Sequence, residues 1–434
     1  MNEAQLFKPT RYKLKSLGSG NIFDDTGWML EAPGEDNPCL IRAEYENRQL
    51  QLLPEDTGLY KFADWLPVNR ILKGSSPPVT YKSEGLGPAL GLKNLFITFS
   101  GYWPERKAYM KTCSFKETEA FSVCGRMDKD EQRVLVVASA GNTARSFARV
   151  CSDNNIPLLL FMPEDNIGSM WFDEPVNDYV KLVAARTGSD YYDAIHLSNL
   201  ACKSPRFFAE GGAKNVARRD GMGTTVLSAV TTIGEIPEYY FQAIGSGTGA
   251  IAAWEANLRL IADGRFGSRK MKLMVSQNEP FVPVYDAWKN DSRQILPLDD
   301  KLARRQVDEI NAKVLSNRKP PYGITGGLYD ALKDTNGDVL TADNQAAAMA
   351  HDLFLKTEGT DIHPAAAIAT ASLIEYIAKK QIPSDALIML NITGGGELRF
   401  RRDKHTHYLE PALVLDPEIT EEELIYKVGS LFGF

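Results

Sequence analysis

The feature that most constrains this chain is a regular change of hydrophobic period. From residue 92 onward, short apolar runs at 92–99 (LKNLFITF), 134–138 (VLVVA), 157–162, 239–244, 272–276 and 386–391 are separated by stretches of helical period. Helices read at 115–123, 143–153, 250–263, 342–357 and 365–380, with a further helix near 176–184 and a strand near 190–194. Runs this apolar suit strands covered on both faces, and joining such strands through helices gives right-handed crossovers and parallel sheets. The expected fold class is α/β. The 434 residues are enough for two or three domains with cores of their own. Residues 1–55, with short strand-like segments, a Gly-Ser-Gly turn at 18–20 and little apolar material, read as a small N-terminal β module. Residues 56–116 together with 206–434 read as a large α/β domain, and 117–205 as a smaller one.

Composition narrows the class of function. The apolar share of 44% and the charged share of 24% are those of an ordinary globular protein. A net charge of −7 argues against a dedicated nucleic-acid or anionic-membrane partner. No apolar run approaches the roughly 18 residues of a membrane span, and MNEAQLFKPTRYKLK lacks the apolar core of a secretory signal. Cys39, Cys113, Cys124, Cys151 and Cys202 form no C-x-x-C pair, and the histidines show no ligand spacing. These patterns predict a reducing cytoplasm and neither a disulfide framework nor a metal site.

Four stretches can carry chemistry. In Ser114-Phe115-Lys116, a lysine follows a small, hydroxyl-rich turn at the start of a helix. The partial positive charge of a helix N-terminus disfavours an ammonium there. That suits a lysine that must become neutral to form a Schiff base, although a solvated surface lysine fits the same letters. Ser139-Ala140-Gly141-Asn142-Thr143 lies between a buried strand and a helix, where α/β sheets bind ligands, or where an ordinary turn and cap would stand. Gly245-Ser246-Gly247-Thr248-Gly249 is again strand, loop, helix. Its glycines let the backbone close around a phosphate, with two hydroxyls as extra donors. Gly245, Gly247 and Ala250 also satisfy G-x-G-x-x-[GA], but the next strand ends in Gln277-Asn278 where a dinucleotide site wants an acidic residue. Asn391-Ile392-Thr393-Gly394-Gly395-Gly396 ends the last core strand with a hydroxyl able to meet a heteroaromatic nitrogen, or with a plain glycine turn. The basic run Arg399, Arg401, Arg402 and Lys404 reads as a solvated strand end, with an anion-binding role for one of them as the alternative.

The order S-F-K, S-x-G-N, G-S-G-T-G, T-G-G-G resembles the fold-type II pyridoxal-phosphate enzymes, the tryptophan synthase β-like type, over nearly the whole chain. Within them it is closest to the threonine synthase branch, through Trp65-Leu66-Pro67, Ser114-Phe115-Lys116 and Glu358-Gly359 with Pro364. Threonine synthases usually read N-P-T-G-S-F-K-D-R-G, whereas this chain has Lys111-Thr112-Cys113-Ser114-Phe115-Lys116-Glu117-Thr118-Glu119. Their T-G-H-G-x-K end is replaced by Thr393-Gly394-Gly395-Gly396-Glu397-Leu398, and residues 12–20 look like their N-terminal ribbon without its zinc-binding cysteines. With LIRAEY at 40–45 and DWLPV at 64–68, the combination is most similar to the cysteate synthase family of methanogenic archaea.

The resemblance implies two parallel-sheet α/β domains, of which the large one binds pyridoxal 5'-phosphate. By the same implication Lys116 carries the cofactor and serves as the base at the substrate Cα. Asn142 holds the cofactor's 3-oxygen, Gly245, Ser246, Gly247, Thr248 and Gly249 its phosphate, and Thr393 its ring nitrogen. Ser139, Gly141 and Thr143 become candidates for the substrate carboxylate, and Lys111 and Arg145 are the nearest cations. The implied reaction replaces the phosphate of O-phospho-L-serine by sulfite, giving L-cysteate on a route to coenzyme M, in a homo-oligomer. Threonine synthase or another β- or γ-replacing enzyme is the alternative within the fold. A non-catalytic paralogue that binds the cofactor or a metabolite is the alternative outside catalysis.

Overall fold

Two sheets organise the computed structural model, which describes residues 7–379 and 382–434. The larger has six strands in the order Asp338–Ala342, Lys272–Asn278, Tyr239–Ala243, Leu387–Ile392, Asn94–Phe99 and Val79–Lys82. All neighbours are parallel except the edge strand Val79–Lys82, which runs antiparallel. Alternate side chains serve opposite faces, as the period of a strand requires. Tyr240, Leu273, Val275 and Met389 pack with helices Val216–Ile233 and Thr248–Asp263. Phe241, Met274, Ile388 and Leu390 pack with helices Asn344–Glu358 and Pro364–Ala378. A sheet covered twice needs strands apolar on both faces, which is why these runs do not alternate in sequence.

The second sheet is wholly parallel, in the order Phe207–Ala209, Val134–Ala138, Leu158–Pro163, Val180–Ala185 and Leu413–Leu415. Helices Lys116–Arg126 and Asn142–Asp153 cover one face, and Tyr191–Ala201 with Glu421–Ser430 the other. Its outer strands Phe207–Ala209 and Leu413–Leu415 fall outside the interval 117–205 read from the sequence as the smaller domain. At the N-terminus, Ile22–Phe23, Tyr12–Ser16 and Ile41–Tyr45 form an antiparallel three-stranded sheet. Residues 1–6 of the expected β module, and the expected helix end at residue 380, lie outside the described residues.

Three local expectations are corrected. The predicted helix near 176–184 is the strand Val180–Ala185, and the predicted strand near 190–194 is the helix Tyr191–Ala201. VKLVAA is rich enough in alanine and leucine to suit a helix, but two parallel neighbours claim its backbone and the sheet interior its side chains. The helix after it is announced by a capping box: Asp190 accepts from the N–H of Tyr192 and Asp193, and Asp193 accepts from the N–H of Asp190. The basic run at 399–404 is mostly helix, Glu397–Asp403, because Glu397, Arg401, Arg399 and Asp403 pair one turn apart. The glycine-rich stretch 219–225 lies inside the long helix Val216–Ile233. A Cβ on Gly221 would stand 2.3 Å from the carbonyl oxygen of Thr118, so glycine lets this helix lie directly on the lysine-bearing one.

Candidate active site

The lysine-bearing turn is stitched to the end of the central strand Leu387–Ile392. Ser114 and Gly394 form an isolated antiparallel bridge, and Gly395 donates its N–H to the carbonyl of Cys113 at 3.1 Å. Lys116 then opens the helix Lys116–Arg126. Its side chain is 20% exposed, and its Nζ lies 3.2 Å from Oε2 of the fully buried Glu119. Burial holds the Lys116 amine below the ordinary lysine pKa; the charge of Arg218 adds to the depression, and Glu119 and Glu210 oppose it. A lysine that exchanges its proton readily is what the first stretch requires.

One cavity gathers the strand-end motifs. Lys116, Asn142, Gly245, Ser246, Gly247, Thr248, Gly249 and Thr393 all line it. Ser139, Gly141 and Thr143 stand beside Asn142 without forming its wall. Ser139 Oγ accepts the N–H of Gly141 at 3.2 Å, and Thr143 Oγ1 donates to Glu119 at 2.9 Å, so both hydroxyls already have partners. Asn142 is the first residue of the helix Asn142–Asp153, and its Oδ1 accepts from Arg145 at 3.1 Å. That leaves the side-chain amide as a donor.

The glycine loop has the form of an anion cradle. The helix Thr248–Asp263 starts after Gly247, which has φ +77 and no side chain to cap it, and Ser246 Oγ accepts the N–H of Thr248 at 3.3 Å. The N–H groups of Ala250 and Ile251 both meet the Gly247 carbonyl at 3.0 Å, which leaves Gly249 N–H, among the described residues, as the first-turn donor open to an anion, favoured by the helix dipole. Ser246 Oγ and Thr248 Oγ1 lie 2.8 Å apart at the same end. Each glycine is there for room: a Cβ on Gly249 would meet Gln242 Nε2 at 2.6 Å, on Gly247 a Leu328 methyl at 2.7 Å, and on Gly245 the Val314 carbonyl oxygen at 2.9 Å. A depressed lysine, an amide donor, a helix start with two hydroxyls and a threonine in the same lining match the aldehyde, phenolic oxygen, phosphate and ring nitrogen of pyridoxal phosphate. The donor set fits that group.

Several neighbours carry no sequence signature. Met222, Val314, Leu315 and His363 also line the cavity. Arg218 reaches Glu119 at 3.1 Å and Glu210 at 2.6 Å. Of these charges only Glu119 is legible in the sequence, as the third residue after Lys116; Arg218 arrives from a helix that glycines conceal. The two cations nearest the motifs are occupied. Lys111 pairs with Asp153 at 3.1 Å, and Arg145, 3% exposed, donates to the carbonyls of Ser169 and Thr112 while lying 3.9 Å over the Trp171 ring. Among the described residues, no cluster of three or more His, Cys, Asp or Glu is placed to hold a metal, and no helix is long and apolar enough to cross a membrane.

Comparison with known proteins points to the same cofactor. Residues 79–394 match the family described as pyridoxal-phosphate dependent enzyme. Cysteate synthase of Methanosarcina barkeri is 45% identical over 415 residues, covering 95% of this chain and 99% of that protein. Cysteate synthase of Methanocorpusculum labreanum is 46% identical over 400 residues, covering 91% and 95%. Among solved structures, maize serine racemase superposes with a TM-score of 0.56 at 14% identity, covering 75% of this chain and 91% of that one. The T.th. threonine deaminase gives 0.54 at 17% identity, covering 74% and 92%. These two show a shared fold.

Proposed function

Because this chain belongs to the pyridoxal-phosphate dependent enzymes and, within them, to the cysteate synthase family, we propose that it forms L-cysteate and phosphate from O-phospho-L-serine and sulfite. The near-full-length likeness to cysteate synthases carries the choice of reaction. The single cavity uniting Lys116, Asn142, the glycine loop and Thr393 supports the cofactor roles.

When bound, pyridoxal phosphate supplies an aldehyde for the substrate amine and a ring that spreads the negative charge left at Cα. In this reading Lys116 anchors the cofactor and, once released, takes the Cα proton. Asn142 donates to the 3-oxygen. The N–H of Gly249 at the start of Thr248–Asp263, with the hydroxyls of Ser246 and Thr248, holds the phosphate. Thr393 offers a neutral hydroxyl to the ring nitrogen, which draws fewer electrons into the ring than a carboxylate partner and favours loss of a group from Cβ over transamination. The backbone N–H groups of Asn142 and Thr143, with the hydrogen of the Ser139 hydroxyl, receive the substrate carboxylate, since the Gly141 N–H is given to Ser139 Oγ and the Thr143 hydroxyl is turned to Glu119.

Phosphate leaves Cβ, and the sulfur of sulfite forms the new bond there. We further place the enzyme in the cytoplasm, on a route to coenzyme M, as a homo-oligomer. The five free cysteines are consistent with the compartment. The test is to supply the holoenzyme with sulfite and either O-phospho-L-serine or O-phosphohomoserine, measuring phosphate release and product. Cysteate from phosphoserine is expected; turnover of phosphohomoserine alone would assign the threonine synthase reaction instead.

A further inference from the structure

Glu119 is a carboxylate where a threonine synthase carries glycine three residues after the lysine, and it is fully buried. A buried carboxylate is costly unless its oxygens are satisfied. Here they are: Oε2 faces Lys116 Nζ at 3.2 Å, and Oε1 accepts from Thr143 Oγ1 at 2.9 Å and lies 3.1 Å from Arg218. Arg218 is itself shared with Glu210 at 2.6 Å. The groups facing the Lys116 amine are thus Glu119 from its own helix, Arg218 from Val216–Ile233 and Glu210 from the loop after Phe207–Ala209. Tyr191, from the helix Tyr191–Ala201, adjoins the same charges. Two cations and two carboxylates balance when the lysine is protonated. They are one negative charge in excess when it is not.

We infer that Glu119 is a positioning residue for Lys116: its carboxylate faces the Lys116 nitrogen, whether that nitrogen carries the cofactor or is free, and so sets how tightly it holds a proton, including the one it removes from substrate. The inference rests on the proposed role of Lys116 as the base. The proton moves from the substrate Cα to Nζ, the C–H electron pair stays with the substrate, and the new ammonium is met by an anion already in place. Without that anion the helix N-terminus, burial and Arg218 would all act against the charge. Thr143 and Arg218 hold the carboxylate on the side of the amine, so its direction is fixed before the proton arrives.

The experiment compares wild type, Glu119→Gln and Glu119→Asp as holoenzymes. The visible band of each is titrated with pH, and exchange of the phosphoserine Cα proton with deuterated solvent is followed without sulfite. Removing the charge should lower the pH midpoint of the visible band by about one to three units, the size expected of a charge this close. The acid limb of the exchange profile should move the same way, and the exchange plateau should fall at least tenfold. Glu119→Asp keeps the charge and should return the midpoint to within about half a unit of wild type while exchanging more slowly, because the carboxylate is one methylene short. If Glu119→Gln does not fold, the aspartate variant still decides: a midpoint displaced as far as about one unit would contradict a charge effect. An unchanged midpoint and exchange profile in Glu119→Gln would overturn the inference. Failure of wild type to make cysteate while these shifts persist would overturn the substrate assignment and leave the role of Glu119 standing.

Discussion

Phe115 donates its backbone N–H to the carbonyl oxygen of Thr393 at 2.9 Å, so the residue before the lysine is bonded directly to the threonine that lines the same cavity. The two belong to segments far apart in the chain, and a main-chain bond between them joins those segments without depending on either side chain. Gly394, next to Thr393, continues the seam, and a Cβ there would meet His363 Nδ1 at 2.3 Å and the Cys113 carbonyl oxygen at 2.9 Å. The lysine and the threonine are held at one spacing by backbone geometry.

The glycine loop should be the most sensitive part of cofactor retention. Gly245→Ala would place a methyl 2.9 Å from the Val314 carbonyl oxygen and 3.1 Å from Leu315 Cα. Both are backbone atoms, so the segment must move or the loop must open. The expected result is at least about a tenfold weaker hold on pyridoxal phosphate, equivalent to about 1.4 kcal/mol, with thermal stability of the cofactor-free protein changed much less. Cofactor release during dialysis, read by absorbance, measures it. Retention equal to wild type would show that the loop does not hold the phosphate.

Arg145 acts through what it braces. Its guanidinium spans the carbonyls of Thr112 and Ser169 and Asn142 Oδ1, and lies 3.9 Å over the Trp171 ring. A lysine cannot make those bonds from one nitrogen or stack in the same way. Arg145→Lys should cost about 2–3 kcal/mol of stability and weaken cofactor binding, because Asn142 loses the partner that orients its amide. Denaturant unfolding together with cofactor titration checks both, and loss of stability with unchanged cofactor affinity would detach Asn142 from the 3-oxygen.

Glu117 gives the fold a pH dependence near neutrality. Burial raises its pKa from 4.5 to about 7, against the opposing Thr112 N–H and the charge of Lys111. The folded protein therefore binds a proton that the unfolded chain releases between pH 4.5 and about 7. The stabilisation is complete below that window and lost as the pH rises through it, on the order of 3 kcal/mol in total. Glu117→Gln keeps an acceptor for Thr112 and removes the titration. Its melting temperature should gain on that of wild type from pH 5 to pH 8, on the order of several degrees. A constant difference across that range would show that Glu117 does not titrate there.

What could be read in advance follows from what is local. Apolar runs ending in S-A-G-N, G-S-G-T-G or T-G-G-G announce strand ends because glycine and small polar residues have few other uses after a buried strand. Those loops meet in one cavity because parallel strands put their carboxyl ends on one edge. VKLVAA at 180–185 is misread as helix, since five apolar residues and a lysine fit a helix or a strand until neighbouring strands decide. The Glu119–Arg218 pair was also hidden, because Arg218 sits in a helix whose glycines resemble a loop. Those same glycines are needed there, since Gly221 packs against the carbonyl of Thr118. Asp190 and Asp193 did spell out a capping box, but the strand expected at that place masked it.

The central claim is that pyridoxal phosphate is carried by Lys116 in the cavity between the two sheets. Reducing the holoenzyme with borohydride fixes the cofactor to whichever amine holds it, and digestion with peptide mass mapping finds that amine. The account predicts a single labelled peptide, the one containing Ser114-Phe115-Lys116, with the label absent from Lys116→Ala. Label on another lysine in wild type, or an equal amount of label in Lys116→Ala, would contradict it.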